Sequence, residues 1–178
     1  MKNKRGLSEV VTTVIMIALV LVAVIMVWTI INNLIQGKIK DSESCFGNAE
    51  KVILDKRNIC YEIDGSTGKV RFAVSLGDVD VDEVLISISG GVETKSFKIS
   101  NEDQAIENLT YLGTSSQTTK LPSKNGGKTY EYSWDFMPGV GEFTNAVNSI
   151  KIAPIIDGTQ CEMSDSSSDI EDCTLLSG

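Results

Sequence analysis

The feature that most constrains this 178-residue chain is a run of 22 residues, 10–31, with no charged side chain and only three polar ones, Thr12, Thr13 and Thr29. At about 1.5 Å of rise per residue, a helix of that length spans roughly 33 Å, enough to cross a hydrocarbon layer of about 30 Å. Many of its residues are Val, Ile and Thr, which in water favour strands over helices. Lipid reverses that preference, because a lone spanning segment must satisfy its own backbone hydrogen bonds. The run therefore predicts a helix. A secretory signal peptide has a shorter apolar region ending at a small-residue cleavage site. Here the span ends in Trp28-Thr29-Ile30-Ile31-Asn32-Asn33, which offers none.

Charge is distributed unevenly around this segment. Lys2, Lys4 and Arg5 precede it without an acid among them, and no charge occurs between Glu9 and Lys38. Short cationic flanks stay in the cytoplasm, so the remainder of the chain is expected outside. The net charge is -8, and without those three cations it is -11. An acidic body repels nucleic acid, and no nucleic-acid partner is expected.

The chain has four cysteines and no histidine. Without histidine there is no Ser-His-Asp or Cys-His catalysis, and the commonest transition-metal ligand is missing. Neither a nucleophile motif nor a cofactor loop is recognisable, so we expect no enzyme and no cofactor. An even number of cysteines behind a membrane-targeting segment points to two disulfides formed in an oxidising compartment. Three pairings are open. Cys45–Cys60 with Cys161–Cys173 is expected, because each closes a short local loop, although pairing of the first segment with the last remains possible.

The junction before the span carries a more specific signal. Lys4-Arg5-Gly6-Leu7-Ser8-Glu9-Val10-Val11 resembles the class III signal of type IV prepilins, and most closely that of archaeal pilin and archaellin precursors. The resemblance implies cleavage between Gly6 and Leu7 by a membrane-bound prepilin peptidase, which leaves the apolar helix on the mature subunit. Glu9 would then be third in the mature chain, whereas bacterial type IV pilins have their glutamate fifth. The Ser8-Glu9 pair also favours a pilin over an archaellin. A carboxylate at the edge of an apolar helix is costly unless paired. In a filament the freed amino group of Leu7 on a neighbouring subunit could pair with Glu9. Alternatively, Glu9 is solvated in the first helical turn, where the helix dipole favours it. Ser8 could cap the helix in either case.

Apolar residues continue past the bilayer length through Leu34, Ile35 and Ile39. A helix apolar on every face suits burial among copies of itself. Ala18 and Ala23 are among its few small positions, where neighbouring helices approach most closely. Residues 7–40 are thus expected to form a membrane and filament-core helix, with 1–6 as a cytoplasmic leader. Gly37 is a candidate kink or end, and 41–44 reads as a polar linker.

From Cys45 onward the signals are those of strands and turns. Segments 59–63 and 69–74 flank a Gly-Ser-Thr-Gly turn, 84–88 and 95–99 flank Gly90-Gly91, and 128–134 and 149–155 follow. About seven short strands predict a mainly antiparallel β-sandwich head over 45–178, giving an α+β chain. Residues 164–172, acidic and rich in serine, read as a surface loop. Asp78, Asp80, Asp82 and Glu83 are the one group with the look of a cation site. An EF-hand loop would need glycine where Glu83 stands and glutamate where Ser89 stands, so we expect a solvated turn and no metal. Asn108-Leu109-Thr110 is the one N-glycosylation sequon.

Together these features predict a structural subunit of an archaeal type IV pilus-like surface filament, used for adhesion. Its expected partners are copies of itself, the prepilin peptidase, the pilus assembly machinery and, before assembly, the membrane. The alternative is a single-pass, membrane-anchored binding domain that does not polymerise.

Overall fold

The computed structural model describes residues 5–91, 93–114, 116–136, 143, 146–168 and 170–176; the side chains of 5–9, 36–43 and 176 lie outside the description. The chain divides into two compact units, with the break between Glu43 and Ser44.

The first unit is nearly all helix. α1 runs from Arg5 to Cys45, 41 residues, so its last two residues belong to the second unit. The backbone stays helical through Gly37 and through 41–44, where the sequence suggested a break and a linker. A single helix-interior glycine costs only about 1 kcal/mol relative to alanine, too little to end a long helix by itself.

The second unit is built from antiparallel strands. One five-stranded sheet contains β1 (Val52–Leu54), β2 (Cys60–Asp64), β3 (Thr67–Leu76), β7 (Leu109–Tyr111) and β9 (Gly127–Asp135). Its order is β1-β3-β9-β7, with β2 also paired to β3. The other contains β4 (Glu83–Gly90), β5 (Glu93–Ser100), β10 (Ser149–Ile156), β11 (Thr159–Gln160) and β12 (Asp165–Ser168). Its order is β11-β10-β4-β5, with β12 also paired to β10. A two-stranded ribbon joins β6 (Gln104–Ala105) to β8 (Thr118–Thr119). The expected α+β class, one long apolar helix followed by antiparallel sheets, is what the structure shows.

Alternation of burial along the long strands explains the core. Val70, Phe72 and Val74 of β3, Tyr130, Tyr132 and Trp134 of β9, and Val84, Ile86 and Ile88 of β4 all point inward, and polar residues intervene except at Ala73 and Leu85. A strand that turns every second side chain to one face needs this pattern to bury it. Phe97 of β5 stacks on Tyr132 of β9 at 5.4 Å and lies 6.5 Å from Phe72 of β3, so the aromatic rings join the two sheets' inner faces. Gly68 of β3 faces Trp134 in register, and a Cβ at Gly68 would lie 2.2 Å from the indole Cε2. Only a residue without a side chain lets the indole lie there.

The carboxy-terminal segment departs from its expected loop character. Residues 165–168 form β12, in register with 149–152 of β10. Asp165 anchors the segment at the other sheet: its Oδ2 accepts from the Leu54 amide at 3.0 Å and its Oδ1 from the Ser166 amide at 2.8 Å. Ile170 is buried, and Tyr61 of β2 bridges to Asp172 through the Tyr61 amide and the Glu171 carbonyl, 3.0 Å apart.

This return path also corrects the disulfide pairing. Cys45 bonds to Cys161, and Cys60 bonds to Cys173. The local pairs Cys45–Cys60 and Cys161–Cys173 do not form, because the chain's last segment runs back beside β2 and brings Cys173 to Cys60. Cys161 follows β11, where its amide donates to the Pro154 carbonyl at 2.9 Å.

Candidate functional site

The residues with the strongest functional signal lie on α1. The stretch Val10–Ile35, 26 residues, is long and apolar enough to cross a membrane. At about 1.5 Å per residue it measures roughly 39 Å. Every side chain from 10 to 31 is exposed, including Leu19, Ile25 and Trp28, so the stretch is apolar and exposed on all its faces. An apolar surface of this extent in a soluble monomer would be exceptional; it implies a lipid or protein environment.

Two of the helix's hydroxyls are also adapted to such surroundings. Thr13 Oγ1 donates to the Val10 carbonyl and Thr29 Oγ1 to the Ile25 carbonyl, each at 2.8 Å. These bonds occupy both hydroxyl protons within the helix, so neither must be desolvated unpaired.

Ala18 and Ala23 are exposed positions on this surface. Five residues of helical advance separate them by about 140° around the axis. They therefore lie on different faces, and one neighbouring helix cannot cover both. Gly6, Leu7 and Glu9 fall in the first turns of α1, and their side chains lie outside the description.

In the head, the acidic group at 78–83 is dispersed. Val79 and Val81 point into the core, and Asp78 and Asp80 stand well exposed on the other side. Lys124 Nζ sits between these two carboxylates, 3.2 Å from Asp78 and 3.1 Å from Asp80, and their hydrogen bonds raise its pKa above the ordinary lysine value. Asp82 Oδ2 accepts from the Gly158 amide at 2.9 Å, and Glu83 pairs with Lys98 at 3.0 Å. Each carboxylate thus has a cation or a backbone donor, with Asp78 and Asp80 sharing one lysine. No three His, Cys, Asp or Glu side chains among the described residues are grouped to hold a metal ion.

The outer face of the first sheet carries a second charge network. Arg71 pairs with Glu131 at 3.0 Å and with Glu62 at 3.2 Å, and Lys69 lies 3.7 Å from Glu131. The register sets Arg71 opposite Glu131 and Lys69 opposite Glu62, which ties three strands together by charge. Surface pairs of this kind, here half-buried at Arg71 and Glu131, contribute modestly each, on the order of 1 kcal/mol.

Asn108 is exposed, in the turn before β7, with φ 65°. Its carbonyl accepts from the Ser133 amide at 2.9 Å. Asn108, Thr67, Ser133, Trp134 and Asp135 line a cleft of about 90 Å³. This cleft, and the Asp165 anchor of β12, were not anticipated from the sequence; each joins residues distant in the chain, and no local pattern signals it.

The apolar helix is suited to a membrane or an apolar assembly, and the two disulfides suit an oxidising, extracellular setting. A long apolar helix followed by a β-rich domain is an architecture compatible with a pilin-like protein or with a membrane-anchored one. Comparison with known proteins adds no family assignment: no family model, no curated protein and no solved structure matches the chain.

Proposed function

We propose that this chain is the precursor of a structural, non-enzymatic subunit of an archaeal type IV pilus-like filament. It enters the membrane through α1, with the amino terminus inside and the head outside. A prepilin peptidase then cuts between Gly6 and Leu7, and an assembly machinery stacks the retained helices into a filament core. The cell surface is its destination, and adhesion is the role the resemblance implies.

The observation that carries this reading is the helix from Val10 to Ile35, apolar and, through residue 31, exposed all around. A membrane anchor needs one lipid-facing surface of bilayer length. This stretch is about 9 Å longer than a hydrocarbon layer of about 30 Å requires. The Lys4-Arg5-Gly6 junction adds a processing site on the cytoplasmic side, where a retained helix would be freed for extraction.

Imaging surface filaments from the native host and sequencing their subunit's amino terminus tests the proposal. Filaments built from a chain beginning at Leu7 support it. A chain still carrying 1–6, found in the membrane without filaments, overturns it and leaves an anchored binding domain.

A further inference from the structure

We infer that Asn108 is a site of N-linked glycosylation, its side chain taking a sugar at the turn before β7. The inference rests on the reading that the head lies outside the cytoplasm. The sequon chemistry requires an Asn amide and a hydroxyl two residues on. The fold presents both away from the core: Asn108 is exposed, Thr110 is half-buried, and Leu109 between them is buried. The turn itself is held by backbone, through the Ser133 amide bond to the Asn108 carbonyl. The Asn108 side-chain amide makes no hydrogen bond among the described residues. Reaction at that amide therefore breaks no contact that holds the fold.

Asparagine at a left-handed φ has a purely conformational explanation, since Asn tolerates that region better than most residues. Thr110 likewise suits its place in β7, opposite Glu131, as a β-branched residue; what the pair adds is the sequon spacing on an exposed turn. The cleft beside Asn108 adds a second feature. Thr67, Ser133 and Asp135 line it with polar groups, at a size suited to part of one sugar ring or its substituent.

The donor class is a sugar carried on a lipid phosphate. The Asn108 amide nitrogen forms a bond to the anomeric carbon, and the bond from that carbon to the phosphate oxygen breaks. The electron pair leaves with the phosphate, and the amide gives up one proton. No oxidant or reductant enters.

The test uses full-length protein from the native host. Trypsin releases residues 99–120 as one peptide, and its mass and fragmentation report on Asn108. The expected result is added mass localised to Asn108. N108G, which keeps the turn's backbone preference, and T110A should both lose that mass, whereas T110S should retain it. A wild-type peptide at its bare mass overturns the proposal. Alkylation of the same sample separates the causes: oxidised cysteines with a bare Asn108 overturn glycosylation alone, and four free thiols overturn export with it.

Discussion

Cys45 and Cys161 lie 116 residues apart in sequence, yet their Cα atoms are 5.4 Å apart and their sulfurs are bonded. Cys60 and Cys173 repeat the relationship across 113 residues. In the chain-entropy picture a loop of that size, about 100 residues, removes roughly 5 kcal/mol of unfolded-state freedom, against about 3 kcal/mol for a loop of some 15. The two loops overlap, so their effects do not add. The bridges thus tie both ends of the head, which otherwise rest on short strands.

A peptide map without reduction checks this pairing. Trypsin alone leaves Cys161 and Cys173 on one peptide, so cyanogen bromide cleavage at Met163 is needed to part them. Residues 41–51 should then be found joined to 152–163, and 58–69 to 164–178. Replacing Cys60 and Cys173 by serine should cost about 2–5 kcal/mol in denaturant unfolding. Recovery of 41–51 joined to 58–69 would refute the observed topology.

Gly68 and Trp134 make a sharper local test. G68A places a methyl where the indole lies, and overpacking of this kind typically costs about 1–3 kcal/mol. Combined with W134L, which vacates the space, the alanine should cost much less than it does alone. A double-mutant cycle by urea unfolding measures the coupling. Additive effects would show that the indole does not occupy the space over Gly68.

Asp165 predicts a pH dependence. Burial raises its pKa, but the Leu54 and Ser166 amides and Lys56 at 3.3 Å outweigh this and hold the carboxyl below the ordinary value. A carboxylate with a depressed folded pKa stabilises fully above its unfolded value, near 3.9, and loses that contribution as pH falls through the folded one. D165A should therefore cost about 1–3 kcal/mol at pH 7, mainly through the orphaned Leu54 amide. The gap to wild type should narrow below about pH 4. A gap independent of pH would mean that the carboxylate's charge plays no part.

The same residues show how far the sequence was legible. The eight- to ten-residue strands β3, β4, β5, β9 and β10 were each marked by β-branched and aromatic residues in alternation or by flanking glycines. β12 was not, because Asp-Ser-Ser-Ser has the composition of a loop; β10 and the Asp165 anchor make it a strand. The two-residue strands β6, β8 and β11 are too short to carry any period. Disulfide pairing depends on where the chain's end returns, which local spacing does not encode. The apolar span of α1 was plain from composition. Its continuation past residue 40 was not, since Asp-Ser-Glu-Ser at 41–44 resembles a linker.

The last prediction concerns packing of α1. If the helix works by burial among copies, its small positions should tolerate enlargement badly, because exchange of lipid for protein neighbours leaves close packing as the main drive. A charge such as V20K would be a poor probe, since it could block membrane insertion first. A18L and A23L keep the span apolar. Because the two alanines lie about 140° apart around the helix, each should meet a different neighbour. Both variants should insert and be processed as wild type does, judged by membrane fractionation and intact mass. Each single change should reduce surface filaments seen by electron microscopy, and the double change should reduce them further. Wild-type filament density in the double variant would show that neither alanine is a packing site. Loss from A18L alone, with A23L indistinguishable from wild type, would place the close helix contact on one face.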